Sequence, residues 1–580
     1  MEEQTSYIFR KFKDFRNEIL YCLFVSAVLM LLITRSSPLY PYNNWDDANS
    51  YFSMGKSMFH GTMIYRDIFD QKGPYLYFLY GLCSLISRKT FFGVFLMEIL
   101  LGAADLFGFY AILRLYGIRT QTANILLPLG MAVTFASKSF YWGGSAEEIC
   151  LPFLIWALYL TLRCLRRNKA GALFPLRTVF AVGLLCGVVA AIKFTLLGYF
   201  FAFMLLVMFS SFRHGRASDA DPWFNYFLKA CGVFLLGMFV PVVPWLIYFG
   251  INGALDDWYH VYIYTNVFIY STFGAANKGE SLYDKVYGMA KILYWLILDN
   301  IQYYVLIIPG LLYALLRKGS GFLERIAPIL MFGFLFLGIY IGGSSLPYYA
   351  FPLTVFAVFG LLAAGRVIDW ATGRMFGRLS SSADSAESVE STSNSNLNRQ
   401  QSLKPWMSGR TAAICISLAA SLALIYVFSL NSYYLRYRKG DVFLYHFAKD
   451  IEAVRVQRLA GGSKSSEDYD ESGRPAEIRE SNTSFSGQPA ALTLLNYNCL
   501  DCGLYTAADI YPTCYWFQTQ TIPLDDVFSE QHRYIREGLT DFVVVRDDYP
   551  EFIFEQYDLM HTFPQNMGGT VHTYYLFMHK

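Results

Sequence analysis

The feature that most constrains this chain is a series of apolar segments, each long enough to cross a lipid bilayer as an α-helix. They lie near residues 17–34, 92–113, 122–140, 146–163, 174–193, 195–212, 223–250, 302–318, 323–342, 348–367 and 411–430. Charged residues make up only 16% of the chain, whereas a soluble protein carries about 25%. The formal net charge of +2 gives no reason to expect a nucleic-acid partner. The pattern predicts a polytopic α-helical membrane protein with about 11–12 transmembrane helices.

The basic residues predict how these segments are oriented. Four Lys and Arg residues within 10–16 precede the first apolar segment, and no small-residue cleavage site follows it. We therefore expect an uncleaved first helix with its N-terminus in the cytoplasm, in a protein that crosses the cytoplasmic membrane several times. Short loops rich in Lys and Arg, such as 163–169 and 315–319, should also be cytoplasmic. Loops 37–73 and 251–300 then lie outside.

Segment 74–87 does not fit this alternation. Both of its ends are predicted to lie outside, and the segment is too short to cross a bilayer as a helix. We therefore expect it to be re-entrant. The alternative is that the number of crossings before it is wrong by one helix.

Composition divides the chain into four regions. Residues 1–370 read as the transmembrane domain, and 371–410, rich in Ser and Asn, as a disordered cytoplasmic linker. Residues 411–430 are predicted to form the last transmembrane helix. The remainder, 431–580, reads as a small extracytoplasmic α/β domain with a mobile insert at 459–490.

The α/β assignment rests on short apolar segments in this last region. Segments 491–497, 541–548 and 573–579 have the composition of buried strands, and 524–538 has a helical pattern. Three cysteines cluster nearby, beginning with the CLDC motif at 499–502 and followed by one at 514. A disulfide and half of a metal site both remain open for them.

Acidic side chains gather at the predicted outer face, where ionisable groups near the membrane are costly and indicate function. Asp46 and Asp47 stand at the start of segment 47–60, whose apolar residues fall at helical spacing. This spacing predicts a short amphipathic helix lying on the membrane surface. Glu147 and Glu148 stand at the outer end of an apolar helix in the motif GGSAEEICLPF. The alternative is that these acids only cap helices or interact favourably with the helix dipole.

Cations and aromatic residues lie at the same face. Arg66 and Lys72 belong to YRDIFDQKGPYLYF, Lys193 ends an apolar helix, and Tyr348 and Tyr349 belong to LPYYAFP. A snorkelling lysine and an interfacial aromatic belt would also explain this pattern. Together with the acids, however, these groups suit a substrate that carries a phosphate, a sugar and a lipid tail, because cations stabilise a departing phosphate and a carboxylate can accept a proton.

Four motifs, in order and spacing, resemble those of the GT-C membrane glycosyltransferases. They are DDANSYFSMGKSMFHGTMIYRDIFDQKGPYLYF (46–78), GGSAEEICLPF, GLLCGVVAAIKFT and LPYYAFP. The resemblance covers about residues 17–370, and its nearest branch is the bacterial one similar to protein O-mannosyltransferases and to the aminoarabinose transferase of lipid A. A His often found in the last motif is absent here, so if that His helps to bind the phosphate, its role is either taken by another group or lacking.

The resemblance implies a glycosyltransferase, hexosyl or pentosyl, that uses a polyprenyl-phosphate sugar donor and acts at the outer face by carboxylate-assisted inverting displacement. The acceptor would be a glycan, a lipid or a protein. Membrane lipid would be a further partner of the protein, and no nucleic acid is expected to bind. Some members use a divalent metal such as Mg²⁺ or Mn²⁺ and others do not, so the cofactor stays open.

The resemblance also assigns roles to the outer residues. Asp46 or Asp47 would be the base or a metal ligand, and Glu147 or Glu148 the second acid, with Asp47 and Glu148 favoured within the pairs. The remaining roles are phosphate binding, by Arg66, Lys72 and Lys193, and substrate lining, by Tyr65, Tyr348 and Tyr349.

Two other classes of function compete with this one. A transporter or flippase of a lipid-linked substrate would show two related halves with broken helices near the midplane, whereas no repeat is visible and the ionisable residues gather on one face. A sensor whose outer domain binds a ligand would leave the two acidic motifs without a purpose.

Overall fold

The computed structural model describes residues 2–167, 173–217, 223–270, 282–342, 345–386, 403–462, 492–520, 524, 526–567 and 569–580. Most of these residues are helical. The first eleven α-helices are α1 (Glu2–Ile33), α2 (Asp46–Phe59), α3 (Pro74–Ile86), α4 (Phe92–Leu115), α5 (Thr120–Phe135), α6 (Ala146–Arg167), α7 (Leu176–Ala190), α8 (Gly198–Ala217), α9 (Trp223–Phe239), α10 (Val243–Ile251) and α11 (Leu255–Trp258). The next eight are α12 (Leu282–Asp299), α13 (Ile301–Leu316), α14 (Phe322–Tyr340), α15 (Ala357–Ala386), α16 (Leu403–Phe428), α17 (Phe443–Gly462), α18 (Leu504–Ala507) and α19 (Asp526–Arg536).

The prediction of a polytopic α-helical membrane protein is confirmed, but fewer helices reach full spanning length. In the described part of the chain, 7 helices are long and apolar enough to cross a membrane, or up to 9 if each bent pair is one span. The predicted span 223–250 is one such pair, α9 and α10, which meet at 46°. Pro241 lies at this break, where a residue without an N–H cannot continue the helical hydrogen bonds.

Two predicted loops contain more helix than the composition suggested. The outer loop 251–300 includes α11, a π-helix at Tyr259–Tyr270 and α12, while 271–281 lie outside the described residues. α13 follows α12 directly at an angle of 115°, and much of the apolar sequence of α12 is exposed. In the predicted linker 371–410, α15 continues to Ala386 and α16 begins at Leu403, so only 387–402 lie outside the described residues.

Helix α2 forms where the apolar spacing predicted a helix, but it does not lie on the membrane surface. Its residues from Ala48 to Ser57 are all buried. The apolar side packs on α3, so closely that a Cβ on Gly55 would stand 2.4 Å from the carbonyl oxygen of Tyr77. The prediction failed because the C-terminal region covers the polar side of α2.

A four-stranded sheet forms the core of the C-terminal region. The strands are β1 (Leu494–Tyr497), β2 (Phe542–Arg546), β3 (Tyr557–Met567) and β4 (Thr570–His579), in the order β1-β2-β4-β3. β1 is parallel to β2, and the other pairs are antiparallel. Sequence predicted three of the strands and α19, but not β3.

Two further predictions for this region have different outcomes. Cys499, Cys502 and Cys514 are buried free thiols, so the disulfide, one of the two alternatives left open for them, is not formed. Most of the predicted mobile insert 459–490 lies outside the described residues, and α17 continues to Gly462.

Candidate active site

The first acidic pair stands at the start of α2, where the two carboxylates point to different partners. Asp47 Oδ2 accepts a hydrogen bond of 2.9 Å from the hydroxyl of Tyr348. The ring of Tyr348 packs edge-on against Trp45, with 4.9 Å between the ring centres. Asp47 is therefore directed at the aromatic LPYYAFP segment.

Asp46 instead faces the C-terminal sheet. Its Oδ2 lies 3.2 Å from a guanidinium nitrogen of Arg546, the last residue of β2, and the two side chains are 23% and 27% exposed. Burial raises the pKa of Asp46, and the charge of Arg546 opposes this shift. The sheet thus provides the counter-ion for one of the two adjacent acids.

Polar contacts with the C-terminal region fix the rest of α2. Ser53 donates a hydrogen bond of 2.6 Å to Asp501, and Lys56 Nζ donates one of 2.9 Å to the carbonyl oxygen of Tyr505. Burial lowers the pKa of Lys56 to about 8 and raises that of Asp501 to about 6. The C-terminal region therefore holds the helix that carries both acids.

The second acidic pair is also divided between two environments. Glu147 is buried and forms an ion pair with Lys193. Glu148 accepts a hydrogen bond of 2.8 Å from the backbone N–H of Gly144, and its own backbone N–H donates one of 2.9 Å to Ser145. The structure thus brings Glu147, rather than the favoured Glu148, to the other candidate groups. Successive residues of a helix point about 100° apart, so only one of two adjacent acids can face a given site.

Lys193 links the second acid to the tyrosines. Its Nζ lies 3.9 Å from the ring centre of Tyr349 and 5.7 Å from that of Tyr348. The side chain is only 12% exposed, so it does not snorkel to water. Asp47 and Lys193 therefore contact the same tyrosine, one at its hydroxyl and the other at its ring.

A close backbone approach brings the YRDIFDQKGP loop beside Lys193. Gly73 has no room for a side chain, because a Cβ there would stand 2.2 Å from the carbonyl oxygen of Ala191. The same carbonyl accepts a hydrogen bond of 3.2 Å from the N–H of Tyr75. As a result, Lys72 and Lys193 line one cavity.

This cavity has a volume of about 310 Å³ and two kinds of wall. Lys72, Lys193, Gln71 and Tyr349 form its polar wall. Its apolar lining includes Ile192, Phe194, Ile339 and Ile341. An anionic head with a hydrophobic tail matches this combination, since the cations can bind the charge and the apolar wall can bind hydrocarbon.

Two residues predicted for the site lie elsewhere. Arg66 is 46% exposed, pairs with its neighbour Asp67 at 3.0 Å, and donates to the carbonyl oxygen of Asn252. Tyr65 is fully buried and donates a hydrogen bond of 2.7 Å to the carbonyl oxygen of Lys72, so it shapes the loop and does not line the substrate cavity. Its backbone has a φ of 73°, which is uncommon for a residue with a side chain.

Sequence reasoning missed three residues of this region. Glu98 is one of two acids, with Asp105, in an otherwise apolar predicted helix, and an acid in such a helix is a sufficient signal in principle. Gln71 adjoins Lys72 but is uncharged. Arg546 contacts a residue 500 positions away, and no local pattern indicates such a contact.

A metal site would need several donor side chains close together. Within the described residues, no group of three or more His, Cys, Asp or Glu side chains could hold a metal ion. Asp46 and Glu147 are each engaged by a cation. The described residues therefore show no assembled metal site; a divalent metal stays a prediction, and no step below passes through one.

The described helices and the C-terminal sheet together give this multi-pass membrane protein a GT-C-like fold. The crystal structure of ArnT from Cupriavidus metallidurans bound to undecaprenyl phosphate is similar to it, with a TM-score of 0.53 and 13% sequence identity over 95% of this chain and 97% of that chain. At this identity the likeness establishes the fold and not the reaction.

Two crystal structures of the Archaeoglobus fulgidus oligosaccharyltransferase are also similar. The apo form has a TM-score of 0.45 and 13% identity, over 91% of this chain and 69% of that chain. The complex with Zn and sulfate has a TM-score of 0.41 and 15% identity, over 90% and 67%. Protein-family models and curated protein sequences give no match.

Proposed function

We propose that this protein is a glycosyltransferase that moves a sugar from a polyprenyl-phosphate donor to an acceptor at the outer face of the membrane. The observation that carries the proposal is the cavity that Lys72 and Lys193 share with apolar lining residues, with Asp47 reached through Tyr348. The similarity to a structure bound to undecaprenyl phosphate supports the choice of donor.

In this proposal the two lysines bind the donor phosphate. Their charges stabilise the negative charge that develops on the phosphate oxygen as the bond to the sugar breaks. Glu147 keeps Lys193 in place, because the ion pair fixes an otherwise flexible side chain. The prenyl tail would follow the apolar wall.

Asp47 is the proposed general base. The acceptor hydroxyl attacks the anomeric carbon from the face opposite the phosphate, the carbon–oxygen bond to phosphate breaks, and the electron pair leaves with the phosphate. Asp47 takes the proton from the attacking hydroxyl, with Tyr348 orienting the carboxylate. The sugar, hexose or pentose, is therefore transferred with inversion to a glycan, lipid or protein acceptor.

This reaction requires the site to lie outside the cytoplasm, with the N-terminus inside and the C-terminal region outside. Reporter fusions at the two termini test this orientation. A reporter active only in the cytoplasm should work at the N-terminus and fail at the C-terminus.

The enzymatic proposal is tested by comparing the envelope glycans of cells that carry wild type, Asp47→Asn, Lys72→Gln or the control Arg66→Gln. Mass spectrometry should show one sugar missing with the first two variants and present with the control. The same cells should have normal amounts of the protein. If Asp47→Asn leaves the glycans intact, while Lys72→Gln abolishes movement of a lipid-linked sugar between leaflets, the protein is a transporter instead.

A further inference from the structure

A second cavity, separate from the proposed donor cavity, lies between the first outer loop and the C-terminal region. It has a volume of about 170 Å³ and shares no lining residue with the donor cavity. Its described lining includes three cations, Arg35, Lys89 and Lys439, and no Asp or Glu. Such a one-sided charge distribution is typical of a site for an anion.

Arg35 is the central observation. It is 1% exposed, and its guanidinium is stacked between Trp142 and Tyr434, with 4.3 Å and 3.3 Å to the ring centres. Nε donates to Asn431 and Nη1 to Asn44, both neutral amides. Its Nη2 has no hydrogen-bond partner, and within the described residues Arg35 forms no ion pair.

A buried charge normally has a counter-ion, since desolvation is costly without one. Burial lowers the pKa of Arg35 to about 10, so the group remains protonated at neutral pH. The aromatic rings offset part of the desolvation. Arg35 therefore places a positive charge, without a counter-ion among the described residues, beside the cavity, and an anion in the cavity would supply the missing negative charge.

Other polar residues line the same space. Thr506 is one of them, and its buried hydroxyl has no hydrogen-bond partner among the described residues. Lys89 has one weak, exposed contact, 3.9 Å from Glu452, and Lys439 lies 5.3 Å from the ring centre of Tyr445. Both ammonium groups can thus turn toward a ligand at small cost.

The position and size of the cavity identify the kind of anion. Arg35 follows the end of α1, and Phe92, also a lining residue, begins α4 and is 43% exposed. Both helices belong to predicted membrane spans, so the cavity lies at the level of the lipid headgroups. Its volume exceeds that of single water sites, about 30 Å³ each, but is below the roughly 300 Å³ of drug-sized ligands.

We propose that this cavity binds the phosphate group of an anionic membrane lipid, through Arg35, Lys89 and Lys439. The shared chemistry is a phosphate, and free phosphate is the other source. The lipid is favoured because an apolar, exposed Phe92 adjoins the cations. Lipid binding there would hold the C-terminal region at the membrane surface. This proposal does not depend on the one for sugar transfer.

The test uses full-length protein in detergent, titrated separately with short-chain phosphatidylglycerol and with inorganic phosphate. The variant is Lys89→Gln/Lys439→Gln. The control is Lys318→Gln/Lys449→Gln, which removes the same charge at exposed lysines elsewhere. Native mass spectrometry counts the retained lipids. Lys72→Gln is included to separate this cavity from the donor cavity.

The proposal predicts that the Lys89/Lys439 variant binds phosphatidylglycerol about tenfold more weakly or worse, because charge-assisted hydrogen bonds are lost. The control and Lys72→Gln should retain this lipid like wild type. Arg35→Gln should lose it as well, and a thermal melt shows whether that variant is folded. If inorganic phosphate alone depends on Lys89 and Lys439, the lipid source is wrong. If neither ligand distinguishes the variant from the control, the cavity is not an anion site.

Discussion

The ion pair between Asp46 and Arg546 makes the C-terminal sheet part of the proposed active site, and Arg546→Gln tests this. At the observed 3.2 Å, and with an effective dielectric constant of about 20, the attraction between the two charges is about 5 kcal/mol. The side chains are 23% and 27% exposed, so solvent screening and desolvation reduce the net contribution to about 1–3 kcal/mol. The variant leaves Asp46 without its counter-ion next to Asp47.

A double-mutant cycle separates this effect from general damage. Arg546→Gln should lower sugar transfer about tenfold or more, since two adjacent carboxylates would then compete for one proton. Asp46→Asn/Arg546→Gln should recover much of the loss, because it removes the uncompensated charge with its partner. The coupling energy between Asp46 and Arg546 should be about 1–3 kcal/mol, whether it is calculated from turnover or from the free energy of unfolding.

Arg533→Gln is the matched control. This arginine also belongs to the C-terminal region, but it is 49% exposed and pairs with Glu537 on the surface of α19. It should transfer sugar like wild type. Strictly additive effects of Asp46→Asn and Arg546→Gln would refute the reasoning, because the sheet would then act on the site only through overall stability.

Three further predictions concern the site and its support. Tyr348→Phe should lower turnover about tenfold, with protein amount unchanged, because Asp47 loses its hydrogen bond; a kinetic assay checks this. Lys72→Gln should weaken donor binding about tenfold or more, whereas Arg66→Gln should not, and equal losses in a donor titration would contradict the assignment. Burial raises the pKa of Asp501 from 3.8 to about 6, so the folded state retains a proton that the unfolded chain releases. The free energy of unfolding should therefore fall by about 3 kcal/mol between roughly pH 4 and pH 6. Thermal unfolding across this range should show a weaker pH dependence for Asp501→Asn.

The membrane helices could be predicted because bilayer thickness imposes a length on every apolar segment. The same rule overestimated the number of full spans, since it does not register a break at Pro241 or the early ends of α5 at Phe135 and α7 at Ala190. Strand β3 escaped prediction because it contains Pro564 and many polar residues, which edge strands tolerate.

At the site, the sequence identified the groups but not their partners. Lys72, Lys193 and the tyrosines converge because Gly73 lies against the carbonyl of Ala191, a contact that no local pattern contains. Sequence favoured Glu148 over Glu147, but residues adjacent on a helix can be distinguished only when the neighbouring helices are known. Such long-range contacts decide which of several plausible charges face one cavity.

Sugar transfer by the purified protein, measured with a radiolabelled polyprenyl-phosphate sugar and a membrane extract as acceptor, tests the central claim most directly. The geometry predicts that Asp47→Asn reduces transfer by orders of magnitude, while Glu148→Gln, whose carboxylate faces Glu98 and Gly144, keeps most of it. Full activity of Asp47→Asn would contradict the account.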